Sequence, residues 1–186
     1  MIVFLDFEAS GLGKHGYPIE VGWAAEDGTE ENHLIRPAPG WEEWDEGAEA
    51  IHGISRERLE REGEPHEAVA RRMVAVLTGH DLYVSAPSWD GHWLSLLLRA
   101  AGLPRHALRL RDTEEARQGA ALSALKAAGL DPAEHSGVLV SILGQMTERA
   151  ENGTPAHRAM EDSRRELALW RETRRRMDEA IAGLKG

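Results

Sequence analysis

The sequence predicts an α/β fold, a five-stranded mixed sheet with helices on both faces. Three observations carry this. Short apolar runs of strand length open the chain, and a hairpin turn joins the second of them to the third. From residue 65 onward, stretches with apolar residues at three- and four-residue spacing alternate with short apolar runs, the order of strand, crossover helix and strand. The early hairpin makes part of the sheet antiparallel, and the later alternation makes part of it parallel.

Each element has a local reason. Residues 1–5 form an apolar run that ends at an acid, as a central strand does, and Ser10-Gly11-Leu12-Gly13 breaks it. Segments 17–25 and 32–36 read as strands around Asp27-Gly28. Pro37-Ala38-Pro39-Gly40 then opens an acidic, Trp-containing excursion with no predicted element. Ala68, Val69, Met73, Val76 and Leu77 mark a helix over 65–77. A strand at 82–86 precedes a helix at 89–101, which Gly102-Leu103-Pro104 ends. A fifth strand at 107–110 leads to Asp112-x-x-Glu115, a capping box for a helix through Ala128. Two more helices follow, over 138–151 and from about residue 155 to near the C-terminus. No repeat or low-complexity segment divides the chain, so residues 1–186 are expected to form a single domain.

Composition narrows the function classes. The chain has no cysteine, which excludes disulfides and thiolate metal sites. No apolar run is long enough to span a bilayer, and no signal segment opens the chain, so a cytoplasmic protein without membrane contact is expected. Net charge is −10, an awkward balance for a protein that meets phosphates. Between Glu26 and Glu67, however, 14 acids face 4 bases, and the rest of the chain is neutral overall. From Arg164 to Lys185, 7 bases face 4 acids, so this tail is a candidate for phosphate contacts.

Asp6 and Glu8 carry the first chemical signal. Residues two apart on a strand face the same side, so both carboxylates share one face at the end of an apolar strand. Two such acids repel unless a cation lies between them, and an all-oxygen set favours Mg²⁺ or Mn²⁺. A solvated strand end is the plainer alternative. The six tryptophans include Trp89 and Trp93, which flank Asp90, and Trp93 is the candidate for stacking on a base. Packing is the commoner use of tryptophan and is expected for Trp23 and Trp170.

Taken in order, the segments resemble one family. Asp6-Phe7-Glu8-Ala9-Ser10-Gly11-Leu12 is similar to the first motif of the DnaQ-like, or DEDDh, 3'-5' exonucleases. Tyr17-Pro18-Ile19-Glu20-Val21-Gly22 matches their second strand, and Ile51-His52-Gly53-Ile54-Ser55 a later turn. Ser88-Trp89-Asp90 stands where the second acidic motif falls, and His157-Arg158-Ala159-Met160-Glu161-Asp162 resembles the third. Asp90 is preferred to Asp81 because Asp90 follows its strand and Asp81 precedes it, and ligands gather at strand carboxyl ends. A related branch carries Tyr four residues before the last acid. Here that position is Arg158, with His157 one residue earlier, which indicates the His subtype.

The resemblance implies an RNase H-like fold and a metal-dependent 3'-5' exonuclease that releases 5'-mononucleotides from single-stranded DNA or RNA. It implies two divalent cations, Mg²⁺ or Mn²⁺, held by Asp6, Glu8, Asp90 and Asp162, with His157 taking a proton from the attacking water. Ala9, Ser10, Gly11, Leu12 and His52 would contact the strand, with Leu12 against the terminal base. Leu12 packing its own turn and His52 stabilising its turn are the alternatives. An oligoribonuclease-like enzyme acting on short RNA and a non-catalytic binding module on the same fold are the competing functions. A homodimer and a polymerase partner are both compatible with the resemblance.

Overall fold

The computed structural model describes residues 1–185, with the side chain of Lys185 outside the described set. The strands are β1 (Ile2–Ala9), β2 (Pro18–Ala25), β3 (Glu30–Arg36), β4 (Glu64–Pro65), β5 (Asp81–Val84) and β6 (Leu110–Asp112). The helices are α1 (Glu46–His52), α2 (Arg56–Glu62), α3 (His66–Leu77), α4 (Pro87–Ala100), α5 (Thr113–Ala127), α6 (Ser136–Glu151) and α7 (Ala159–Lys185).

The sheet runs β4-β3-β2-β1-β5-β6. The ladders β1–β2 and β2–β3 are antiparallel, whereas β1–β5, β5–β6 and β3–β4 are parallel. The mixed α/β architecture is as expected, but the sheet has six strands rather than five. The addition is the two-residue β4, which pairs Glu64 and Pro65 with Ile35 and Arg36 at the edge, where a proline is tolerated. The last strand also lies later than 107–110, since Leu82 and Val84 pair with Leu110 and Asp112.

Strand periodicity divides the core. Val3, Leu5 and Phe7 of β1 join Val21 and Trp23 of β2 against α3 and α4. The alternate residues point the other way. Phe4 packs with Ala24, Tyr83 and Ala116 beneath Leu167 and Trp170 of α7. The same outward row of β1 continues from Phe4 to Asp6 and Glu8, which lie opposite Gly22 and Glu20 of β2. A further cluster joins α5, α6 and α7 through Leu125, Met146, Leu169 and Met177.

The acidic excursion holds two seven-residue helices that periodicity does not reveal. Asp45 caps α1 by accepting the Gly47 N–H at 2.8 Å, and Gly53 ends it at φ 68°. Ser55 caps α2 by accepting the Arg58 N–H at 3.2 Å. These helices close a core of Tyr17, Ile19, Ile54 and Leu59, and Asp45 binds the first loop through its N–H to Ser10 O.

The capping box of α5 is half as expected. Asp112 accepts the Glu114 N–H at 2.7 Å, while Glu115 turns to Arg111. Asp81 also pairs with Arg111, at 3.2 Å, at the start of β5 and away from the carboxyl end. Among the described residues no helix is long and apolar enough to cross a membrane.

Candidate active site

The carboxyl end of β1 and the first turn of α7 build the site. Asp6, Glu8 and Asp162 each offer one oxygen, and these oxygens lie within 4.8 Å of one another. The close approach depends on a missing side chain. A Cβ at Gly22 would stand 2.6 Å from the Met160 backbone nitrogen. Only glycine on β2 therefore lets α7 descend onto the sheet, and Ser163 Oγ fastens it by donating to Gly22 O at 3.0 Å.

The electrostatics are those of unneutralised acids. Burial, with Asp90, Glu8 and Asp162 nearby, raises Asp6 well above the ordinary carboxylate range. Burial, with Glu20 and Asp162, pushes Glu8 up to about 8. Asp90 is 3% exposed, and burial raises it to about 7. Among the described residues it lies outside the three-acid cluster, although its charge helps to raise Asp6 and Glu8, and its Oδ2 accepts the Ala86 N–H at 3.2 Å. The donor chemistry fits a hard divalent cation: oxygen ligands only, clustered, and short of positive charge.

His157 lines the same cleft of about 500 Å³ as Asp6, Glu8 and Asp162. It is exposed and holds φ 55°, the left-handed region that side-chain-bearing residues rarely adopt. Asp162 stabilises this turn by accepting the Ala156 N–H at 2.9 Å and the Arg158 N–H at 3.3 Å. Farther along the cleft, Arg117 and Glu166 form a buried ion pair at 3.0 Å, and Arg117 also reaches Thr113.

Several expected contact residues need correction. Trp93 is 2% exposed and packs in the core under α4, so its ring has no open face for a base. Trp89, stacked on it at 5.8 Å and 44% exposed, is the accessible ring. The Ser10 side chain is fully buried and accepts the Tyr17 N–H at 3.1 Å. Ala9 is buried too, and a Cβ at Gly11 would meet Asp45 Cβ at 2.9 Å, so both shape the loop. Leu12, by contrast, is 67% exposed, which leaves it free to meet a ligand. His52 is buried; its Nδ1 accepts the Ile54 N–H at 3.1 Å and its Nε2 has no partner, so it does stabilise its turn. Burial lowers its pKa.

Most bases of the tail already have partners within the protein, while Arg165 donates to Ala150 O and lines the cleft beside His157 and Asp162. Arg164 pairs with Glu30, Arg171 donates to Glu26 O, Arg174 lies over the Trp170 ring, and Arg175 and Arg176 share Glu172. Two residues of the site escaped the sequence reading, Glu20 and Arg158. A lone acid inside the apolar run of β2 was the available signal. Glu20 is fully buried and pairs with Arg158 at 2.8 Å.

No family model matches the chain, and no curated protein matches it. Among solved structures, the fold is similar to exonuclease I. The zinc-bound Escherichia coli exonuclease I complex with single-stranded DNA shares 19% identity at a TM-score of 0.63, covering 96% of this chain and 42% of that one. An exonuclease I structure described in terms of processivity gives 20% and 0.62, over 96% and 42%. The apo form gives 18% and 0.62, over 97% and 44%. At such identity the likeness is one of fold, RNase H-like, and the chain spans about two-fifths of the length of these proteins.

Proposed function

We propose that the protein is a metal-dependent 3'-5' exonuclease acting on single-stranded nucleic acid. The observation that carries this reading is the convergence of Asp6, Glu8 and Asp162 in one cleft with His157. The exonuclease I fold supports it, and the neighbours bound to single-stranded DNA favour DNA over short RNA.

In this reading Asp6, Glu8 and Asp162 hold divalent cations, Mg²⁺ or Mn²⁺, with Asp90 as the fourth carboxylate. When bound, such ions activate water and stabilise the charge that develops at the scissile phosphate. The chain's own groups do the rest. A ring nitrogen of His157 takes the proton of the attacking water, and Leu12 and the Trp89 ring meet the terminal bases. Without cations the acids repel the phosphodiester, so binding and hydrolysis both depend on metal.

The test is digestion of 5'-labelled single strands, DNA and RNA of one sequence, with Mg²⁺ or Mn²⁺ and with chelator. A metal-dependent ladder that shortens from the 3' end is expected, faster on DNA. Binding without shortening of either strand would favour a non-catalytic module instead.

A further inference from the structure

Glu20 has no part in the acid cluster, yet it lies directly opposite Glu8 on the β1–β2 ladder and shares its face. It is 0% exposed. Its two oxygens accept four N–H groups. Oε1 takes Asn32 Nδ2 at 2.9 Å and Arg158 Nη2 at 2.8 Å. Oε2 takes Arg158 Nε at 3.2 Å and the Ala159 backbone N–H at 3.0 Å. The carboxylate thus grips the guanidinium fork and the first residue of α7 together. With four donors on two oxygens, Glu20 is committed to this grip and is not a spare metal ligand.

The gripped segment carries the strained residue. His157, at φ 55°, lies between Ala156 and Arg158, whose N–H groups both go to Asp162. Such a conformation persists only where its surroundings over-determine it. Asp162 supplies one restraint, but its oxygens also belong to the acid cluster, so a cation would compete for them. The Glu20 fork is a restraint that does not draw on the cluster's oxygens.

We propose that Glu20 is a positioning residue of the hydrolytic site, holding Arg158 and Ala159 so that the His157 imidazole stays over the acid cluster when Asp162 engages metal. This rests on the exonuclease reading above. Asn32 contributes from β3 by orienting the carboxylate.

The experiment compares wild type with Glu20→Gln, which keeps the shape and loses the charge. Three readouts are needed: kcat and KM on a 5'-labelled single strand, Mn²⁺ affinity by calorimetry, and the rate of tryptic cleavage after Arg158. A fall in kcat of about 10- to 100-fold is expected, the scale of a displacement near 1 Å, with KM and Mn²⁺ affinity unchanged. Cleavage after Arg158 should accelerate about tenfold as the fork opens. Wild-type kcat, or a loss of Mn²⁺ affinity in step with activity, would overturn the assignment. If Glu20→Gln does not fold, Arg158→Lys keeps the charge and removes the fork. It should show the same kcat loss, and normal turnover would overturn the proposal equally. If wild type itself hydrolyses nothing, the exonuclease reading fails. The tether is then judged by proteolysis alone, and unchanged cleavage sinks it.

Discussion

The two halves of α7 use the same kinds of charged residue to opposite effect. From its midpoint onward, Glu172 serves Arg175 and Arg176, each at 2.7 Å, and Glu179 pairs with Arg175, so these charges cancel within the helix surface. In its first turn, Asp162 joins Asp6 and Glu8, and burial together with the neighbouring carboxylates raises the pKa values of Asp6 and Glu8. The residues of the C-terminal half are abundant and paired, and those of the first turn are few and unbalanced. The lesson is that charge density does not mark a site. What marks it is buried charge that the protein itself leaves without a counter-ion.

The largest expected effect lies in the acid cluster. Asp6→Asn should reduce hydrolysis to background in the strand-shortening assay and weaken Mn²⁺ binding. It should also raise the melting temperature of the metal-free protein near pH 8, because it removes a charge that the fold holds at a cost. Measurable turnover in that variant would break the contrast between the two halves.

His157→Ala should lower kcat by about 10²–10⁴, the usual worth of a positioned general base, while Mn²⁺ affinity stays as in wild type. Single-turnover kinetics measure this directly. Full activity would remove His157 from the chemistry.

The third effect is on stability. Glu8 and Asp90 have folded-state pKa values near 8 and 7, raised above those of free carboxylates. The folded state therefore binds more protons than the unfolded state between about pH 4 and 8. Metal-free stability should fall as pH rises through that window, and divalent cations should restore it. At a cation concentration near 100 Kd the rise in melting temperature should be about 5–10 °C at pH 8. Calorimetry from pH 5 to 8 with and without Mg²⁺ would show it, and a metal-free midpoint that climbs with pH would contradict the shifts. The smallest effect is in the balanced half: Arg175→Ala should leave turnover and the salt dependence of strand binding unchanged.

Much of this was legible in the sequence where a period carried it. The two-residue repeat of β1 placed Asp6 and Glu8 on one face, and the structure puts them there with Phe4. The choice of Asp90 over Asp81 followed from strand direction alone, and Asp81 does lie at the other end of β5, on Arg111. Other features had no local signal. Helices α1 and α2 are two turns each, too short for a period to show, although the Asp45 and Ser55 caps were readable. Trp89 and Trp93 are four apart on one helix, and only the tilt of α4 against the sheet decides which is buried. The tail was read by counting bases, whereas Glu172 and Glu179 stand at three- and four-residue spacing and pair with Arg175 and Arg176. Glu20 and Arg158 are 138 residues apart, and nothing local announces that they meet.

Gly22 has a consequence for how the protein tolerates change. It bears no side chain, touches no reacting group and sits inside an ordinary strand, so a survey of chemistry would pass over it. Yet even an added methyl would collide with the Met160 backbone nitrogen, from 2.6 Å away, and lift α7 with Asp162 and His157 off the sheet. In a saturation library selected for activity, position 22 should be as intolerant as position 6, and its losses should appear in function before they appear in yield. The freedom to vary is thus lowest at two kinds of position, those that supply atoms to the site and the one that must supply none.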